Sequence, residues 1–205
     1  MADYQAPLRD MRFVLNEVFE APKLWQTLPA LSEAVDAETA AGVKVGSPLV
    51  SGAKVTGELL APLNRSGDEE GCRWDAGQVS TPAGYPEAYR LYAEGGWVGV
   101  GGDPTYGGMG MPKVISAQVE EMMNSASLAF GLYPMLTSGA CLSIHAHASE
   151  ALKQKYLPNM YSGVWAGSMC LTEPHAGTDL GMIRTRAEPQ ADGSYKVSGT
   201  KIFIT

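Results

Sequence analysis

From Pro112 to Met160 the apolar residues recur near helical spacing. In "PKVISAQVEEMMNSASLAFGLYPML" they include Val114, Val119, Met122, Met123 and Leu128, and "ACLSIHAHASEALKQKYLPNM" continues the pattern for one or two more helices. Upstream, "PEAYRLYAEGGW" predicts a helix closed at Gly95-Gly96, where glycine supplies the left-handed cap. A further helix is expected over Ala30–Ala41, and Ser47-Pro48 opens another, a side-chain cap before a first-turn proline. That helix is expected to stop near Ala61-Pro62, followed by a polar, Gly-rich loop, "NRSGDEEGCRWDAG". Residues 1–23 form a short amphipathic segment ending at Ala21-Pro22, an arm or a first helix.

The period changes at "GVWAGSMCLT" and again in "IRTRAEPQADGSYKVSGTKIFIT", where apolar and polar residues alternate about an Asp192-Gly193 turn. About three strands are assembled by Thr205, the smallest number that makes a stable sheet, and then only with something to pack on. The predicted fold is mainly α with a C-terminal β segment: an N-terminal extension (1–40), a helical domain (41–163) and an incomplete β domain (164–205), read as truncated. No internal repeat or low-complexity tract is evident.

Apolar residues make up 45% of the 205 positions and charged residues 18%, which supports a folded core rather than disorder. The net charge of −7 argues against nucleic acid or an anionic membrane face as a partner. Cys72, Cys141 and Cys170 are odd in number and far apart, so neither a disulfide framework nor a zinc site is suggested, and the cytoplasm is the expected compartment. The N-terminus lacks a basic, then apolar, secretory pattern, and no apolar run is long enough to predict a membrane span.

Three stretches invite chemistry. In the Gly-rich loop from Gly95 to Gly110, Pro104 stands where a dinucleotide fingerprint needs glycine, no Gly-Lys-Ser/Thr follows, and no strand precedes, so a structural loop is expected. His145 and His147, with Glu150 nearby, are two apart on a helix and point in different directions, which disfavours a metal. The methionines at 109, 111, 122, 123 and 135 read as core filler that could also line an apolar pocket. In "MCLTEPHAGTDLGMIRTRAEP" (Met169–Pro189), Thr172, Gly177 and Thr178 lie on a turn between segments that read as strands. This is either an ordinary surface turn or a concavity of backbone amides suited to carbonyl oxygens or phosphates.

"CLTEPHAGTD" resembles the signature of the acyl-CoA dehydrogenases, flavoenzymes that desaturate acyl-CoA thioesters between Cα and Cβ. "EGGWVGVGGDPTYGGMGMP", "ALKQKYLPNMYSG" and "ADGSYKVSGTKIFIT" are similar to further family segments in family order, so the resemblance covers about Pro82 to Thr205. "YQAPLRDMRFVLNEVFE" resembles the extension of a larger subgroup that includes the 3-methylmercaptopropionyl-CoA dehydrogenases. Met182 departs from the small residue of the signature, and Phe203 from the Trp that many members hold against the flavin.

The resemblance implies FAD as cofactor and an acyl-CoA thioester as substrate. Main-chain groups near Met169 and Leu171, with the Thr172 hydroxyl and the turn at Gly177, would meet the flavin pyrimidine end. Phe203, Ile204 and Thr205 would flank the ring, with Thr205 near N5 and O4, and Thr178 would contact the CoA pantetheine or phosphate region. Glu173 would be a structural loop acid. The α-proton base, a glutamate in the family's C-terminal helical region, is expected beyond Thr205, so these residues alone are expected to be inactive. Electron-transfer flavoprotein is the implied acceptor and a homo-oligomer the implied full-length form. An acyl-CoA oxidase or flavin monooxygenase on the same scaffold, and a non-catalytic helical module, are the alternatives. The acidic balance disfavours the family's DNA-associated branch.

Overall fold

The structure, a computed structural model, describes residues 4–25, 27 and 47–204. The helix expected over Ala30–Ala41 and the site residue Thr205 lie outside the described residues. The chain divides into two compact units, Met1–Gly167 and Ser168–Thr205.

The first unit is helical. Helix α1 (Leu8–Phe13) runs into a π-helical turn at Val14–Val18, and α2 (Ala21–Trp25) follows. Helix α3 (Ser47–Lys54) continues through a π-helical stretch, Val55–Leu60, into α4 (Ala61–Glu70). The stop expected at Ala61-Pro62 is therefore absent. The π-helical stretch ends as Pro62 enters the first turn of α4, where a missing N–H is tolerated. The loop expected from Asn64 is correspondingly helical up to Glu70, with an Arg65–Glu69 pair one turn apart, and Gly71 at φ 67° ends it. The remainder of that stretch enters a hairpin of β1 (Arg73–Asp75) and β2 (Gln78–Ser80), which turns at Ala76-Gly77 and pairs Trp74 with Val79.

Helices α5 (Tyr85–Glu94), α6 (Lys113–Ala126), α7 (Leu128–His147) and α8 (Glu150–Tyr161) complete the unit. Gly96 at φ 76° follows α5, as its cap predicted, and Ser127 separates α6 from α7 by accepting from the Phe130 N–H. Leu49, Leu60, Val119, Met122 and Met123 fill the main core, where the Tyr92 and Phe130 rings meet edge to face with centroids 5.5 Å apart. A second cluster gathers Tyr106, Cys141, Leu157, Met160 and Tyr161.

In the second unit β3 (Arg186–Pro189) and β4 (Tyr195–Ser198) form the expected antiparallel hairpin, with Gly193 at φ 83° and Asp192 Oδ1 accepting from the Ser194 amide and hydroxyl. "GVWAGSMCLT" does not form the expected strand, and neither does "KIFI". Near Trp165 the chain is still leaving α8, since its N–H bonds Asn159 O at 2.9 Å. Beyond it, the only main-chain link between these two segments among the described residues is Ile202 N–H to Thr172 O, too little for a ladder.

Candidate functional site

The helical unit holds a cavity of about 300 Å³. Trp97, Val100, Met111, Met123, Pro134, Met135, Cys141 and Tyr161 are among the residues that line it. The sulfur-bearing side chains make a soft, polarizable wall, and the expectation that methionines line an apolar pocket holds for Met111, Met123 and Met135. Polar groups are few: Ser116, Ser138, and the Lys113–Glu120 pair at 3.2 Å.

The Gly-rich loop supplies part of this wall. Its amides are occupied by its own carbonyls, with Met109 N–H on Gly99 O, Gly110 N–H on Gly102 O and Met111 N–H on Val100 O at 2.8–3.0 Å. A loop folded back on itself in this way supports the structural reading rather than a phosphate cradle. Glycine is required where a Cβ on Gly102 would stand 2.7 Å from the Tyr161 ring, and one on Gly108 would collide with the Gly102 backbone. Two polar links hold the loop to the following helices: Asp103 Oδ2 lies 2.9 Å from His145 Nε2, and the Tyr106 hydroxyl donates to Glu150 Oε1 at 2.7 Å. The His145 bond is the main reason the Asp103 carboxyl is held below its ordinary range. Among the described residues, no cluster of His, Cys, Asp and Glu is arranged to hold a metal, and no helix is long and apolar enough to cross a membrane.

The second unit is organised around Glu173, whose side chain is buried. Its carboxylate accepts from the Thr185 hydroxyl (2.6 Å), the Arg184 and Thr185 amides (2.8 and 3.0 Å) and Lys201 Nζ (2.9 Å). His175 Nε2 lies 3.3 Å from Glu173 Oε2 and 3.2 Å from Met182 O. Both oxygens face that nitrogen as acceptors, so Nε2 carries a proton. The Thr185 hydroxyl foremost, then the Arg184 amide and Lys201, hold the Glu173 carboxyl far below the usual carboxylate range. A carboxylate so fixed is an anchor and a poor proton acceptor.

Around this anchor the sequence-selected residues take their places. Lys201 Nζ also donates to Leu171 O at 3.0 Å, and Ile202 N–H to Thr172 O at 2.9 Å, so Leu171 and Thr172 are brought beside the segment carrying Phe203 and Ile204. Gly177 and Thr178 are exposed past a tight turn closed by the reciprocal Glu173–Ala176 backbone bonds. Met169 is exposed, and Phe203 is 88% exposed with a left-handed φ of 53°. Sequence reasoning assigned no role to Lys201 and Thr185, which lie 28 and 12 residues from their shared partner Glu173, or to His175, its neighbour in the same turn. Among the described residues the N–H groups of Met169, Leu171 and Thr172 have no protein acceptor, while the carbonyls of Leu171 and Thr172 are both taken. At Leu171 and Thr172 the loop thus leaves its N–H donors free while its carbonyls are engaged, which fits an electron-rich ligand edge.

The family match falls on the helical unit that holds the cavity. Residues 72–164 match the family model described as "Acyl-CoA dehydrogenase, N-terminal domain", so the chain carries the N-terminal domain of that family. Over 203 residues it is 42% identical to the 3-methylmercaptopropionyl-CoA dehydrogenase of Ruegeria pomeroyi, covering 98% of this chain and 33% of that protein. The chain thus spans about a third of the length of that curated relative. The structure of butyryl-CoA dehydrogenase from Megasphaera elsdenii aligns with a TM-score of 0.64 at 25% identity, over 77% of this chain and 39% of that one. That of an acyl-CoA dehydrogenase from Bacillus anthracis, complexed with FAD, aligns with a TM-score of 0.62 at 26% identity, over 77% and 25%.

Proposed function

We propose that the chain forms the N-terminal, acyl- and flavin-facing portion of an FAD-dependent acyl-CoA dehydrogenase. The carrying observation is the cavity: every residue lining it lies between Tyr92 and Tyr161, inside the family-matched 72–164. Its volume is at the lower end of the roughly 300–1,000 Å³ of small-molecule pockets, and its lining is mostly apolar, which suits a short acyl tail.

FAD, when bound, supplies the acceptor for a hydride from the acyl Cβ. The chain's own residues then hold and orient. The Met169 and Leu171 amides and the Thr172 hydroxyl would bind the pyrimidine edge beside the Gly177 turn, and donors there stabilise negative charge on reduction. Phe203, Ile204 and Thr205 would flank the ring, and Thr178 would meet the pantetheine. Glu173 keeps its proton-free anchoring role; by the family resemblance, the α proton would go to a glutamate of the family's C-terminal helical region, and the product would be a trans-2-enoyl-CoA. Electron-transfer flavoprotein as acceptor, a homo-oligomeric enzyme and a cytoplasmic setting complete the reading, the last supported by three free cysteines.

The test is titration of the 205-residue chain with FAD, followed by flavin fluorescence, then calorimetry with butyryl-CoA and with CoA alone. Saturable FAD binding, with butyryl-CoA held more tightly than CoA, supports the reading. Absence of both bindings overturns it. Thr172→Val should weaken FAD binding by about 1–3 kcal/mol, the cost of losing a donor to a buried acceptor.

A further inference from the structure

Lys201 has no part in the reading above, yet its ammonium bonds both the Glu173 anchor and the Leu171 carbonyl of the donor loop. Its ammonium stands 2.9 Å from Glu173 Oε1 and 3.0 Å from the Leu171 carbonyl oxygen, and it is about one-fifth exposed. The Leu171 carbonyl and the Thr172 N–H belong to one peptide group. Because that group is planar and trans, its N–H points away from the side on which Lys201 binds its oxygen. A cation on the oxygen draws electron density through the amide and strengthens the N–H as a donor, as in any chain of hydrogen bonds. That N–H has no protein acceptor among the described residues, and Thr172 is half-buried. The next peptide is held as well, since Ile202 N–H binds Thr172 O at 2.9 Å. Glu173, fixed by Thr185 and Arg184, sets where the ammonium stands.

We propose that Lys201 is a positioning residue that fixes and polarises the Leu171–Thr172 peptide, presenting the Thr172 N–H as a strengthened donor to a ligand oxygen or nitrogen that gains negative charge. Resting on the flavin-facing reading of this loop, the ligand group is the pyrimidine edge of FAD. Lys201 then acts on the cofactor through the peptide, without contact, and favours the reduced, more negative form. Glu173 keeps the ammonium in place.

Lys201→Met keeps the aliphatic stem and removes the charge, and Lys201→Arg restores a charge in the same place. The first readout needs no cofactor. In the amide NMR spectrum of the chain without FAD, Lys201→Met should shift the Thr172 N–H resonance upfield, leaving helical-unit resonances in place. Lys201→Arg should return it toward wild type. The second readout is FAD affinity, which should fall about tenfold or more in Lys201→Met and recover in Lys201→Arg, and the flavin reduction potential, which should become more negative in Lys201→Met. An unmoved Thr172 resonance in Lys201→Met overturns the proposal. So does a moved resonance with unchanged FAD affinity and potential. If the wild-type chain binds no FAD, the flavin reading fails, and the cofactor-free spectrum still decides whether Lys201 polarises the peptide. Glu173→Gln gives an independent check, since it should move the same resonance in the same direction, and an unmoved resonance there removes the anchoring role.

Discussion

Asp103 Oδ2 and His145 Nε2 meet at 2.9 Å across 42 residues of chain, joining the Gly-rich loop to the last turn of α7. Asp103 also caps the short helical turn behind it by accepting from the Thr105 N–H at 2.8 Å. The loop is thereby held by both oxygens of one carboxylate, and its Gly101 and Gly102 line the cavity.

His145→Ala is expected to loosen this wall more than it destabilises the fold. Both partners are partly exposed, at 44% and 33%, so the stability loss should stay below about 1 kcal/mol, the range of exposed pairs. Hydrogen exchange of the Gly108 to Met111 amides should accelerate in the variant while α6 stays protected. Uniform acceleration throughout the helical unit would show that the pair holds the fold and not the loop.

Glu173 makes the second unit acid-sensitive. Its folded pKa lies far below the ordinary 4.5, so its contribution to stability is complete above that value and is lost as pH falls through the folded value. Protection of the Arg184 and Thr185 amides, which donate to it, should drop in strong acid before protection in the core of α6. Glu173→Gln should lower protection at neutral pH and flatten the acid dependence. An acid profile in that variant matching wild type would assign the sensitivity to another carboxylate.

These two pairs mark where local sequence signals stop being informative. The Gly96 cap, the Pro112 start of α6 and the Asp192-Gly193 turn are decided by residues adjacent in the chain, and each appears where its residue type requires. Pro62 misleads for the same reason: a proline reads as a stop unless a π-helical stretch precedes it, and nothing in the residues Val55–Leu60 announces one. The strand expected in "GVWAGSMCLT", where the helical period ends, finds no partner to complete a ladder among the described residues. Glu173 and Lys201 lie 28 residues apart, and the carboxylate's role depends on that meeting. The signature loop was legible as a candidate site by resemblance, whereas the cation behind it was not, because a lysine in an alternating stretch reads as an ordinary solvated position.

Met135 offers a direct test of the cavity. It lines the wall yet is 42% exposed, so a larger side chain can be seated without overpacking the core. Met135→Trp is expected to weaken butyryl-CoA binding by about tenfold or more, while CoA alone and FAD bind as in wild type, as calorimetry and flavin fluorescence would show. Equal losses for butyryl-CoA and CoA would place the acyl tail elsewhere.

Cys141 gives a test of the same cavity whose first readout needs neither cofactor nor substrate. The side chain is buried at 3% exposure, lines the cavity, and has its thiol pushed up to about 11 by desolvation. Since the thiolate is the reactive form, almost none is present at pH 8, and access adds a second barrier. Cys72 and Cys170 are exposed and provide internal references in the same molecule. Iodoacetamide at pH 8, followed by peptide mass spectrometry, should label Cys72 and Cys170 at least about tenfold faster than Cys141, the desolvated thiol alone accounting for more than that. In urea at unfolding concentrations the three rates should converge, because the shift belongs to the folded environment. Butyryl-CoA occupying the cavity should slow Cys141 labelling further and leave Cys72 unchanged, which links the thiol to the proposed acyl pocket. Cys141 reacting as fast as Cys72 in the folded chain would mean that the wall between α6 and α7 opens readily, and the cavity could not then hold an acyl tail away from water.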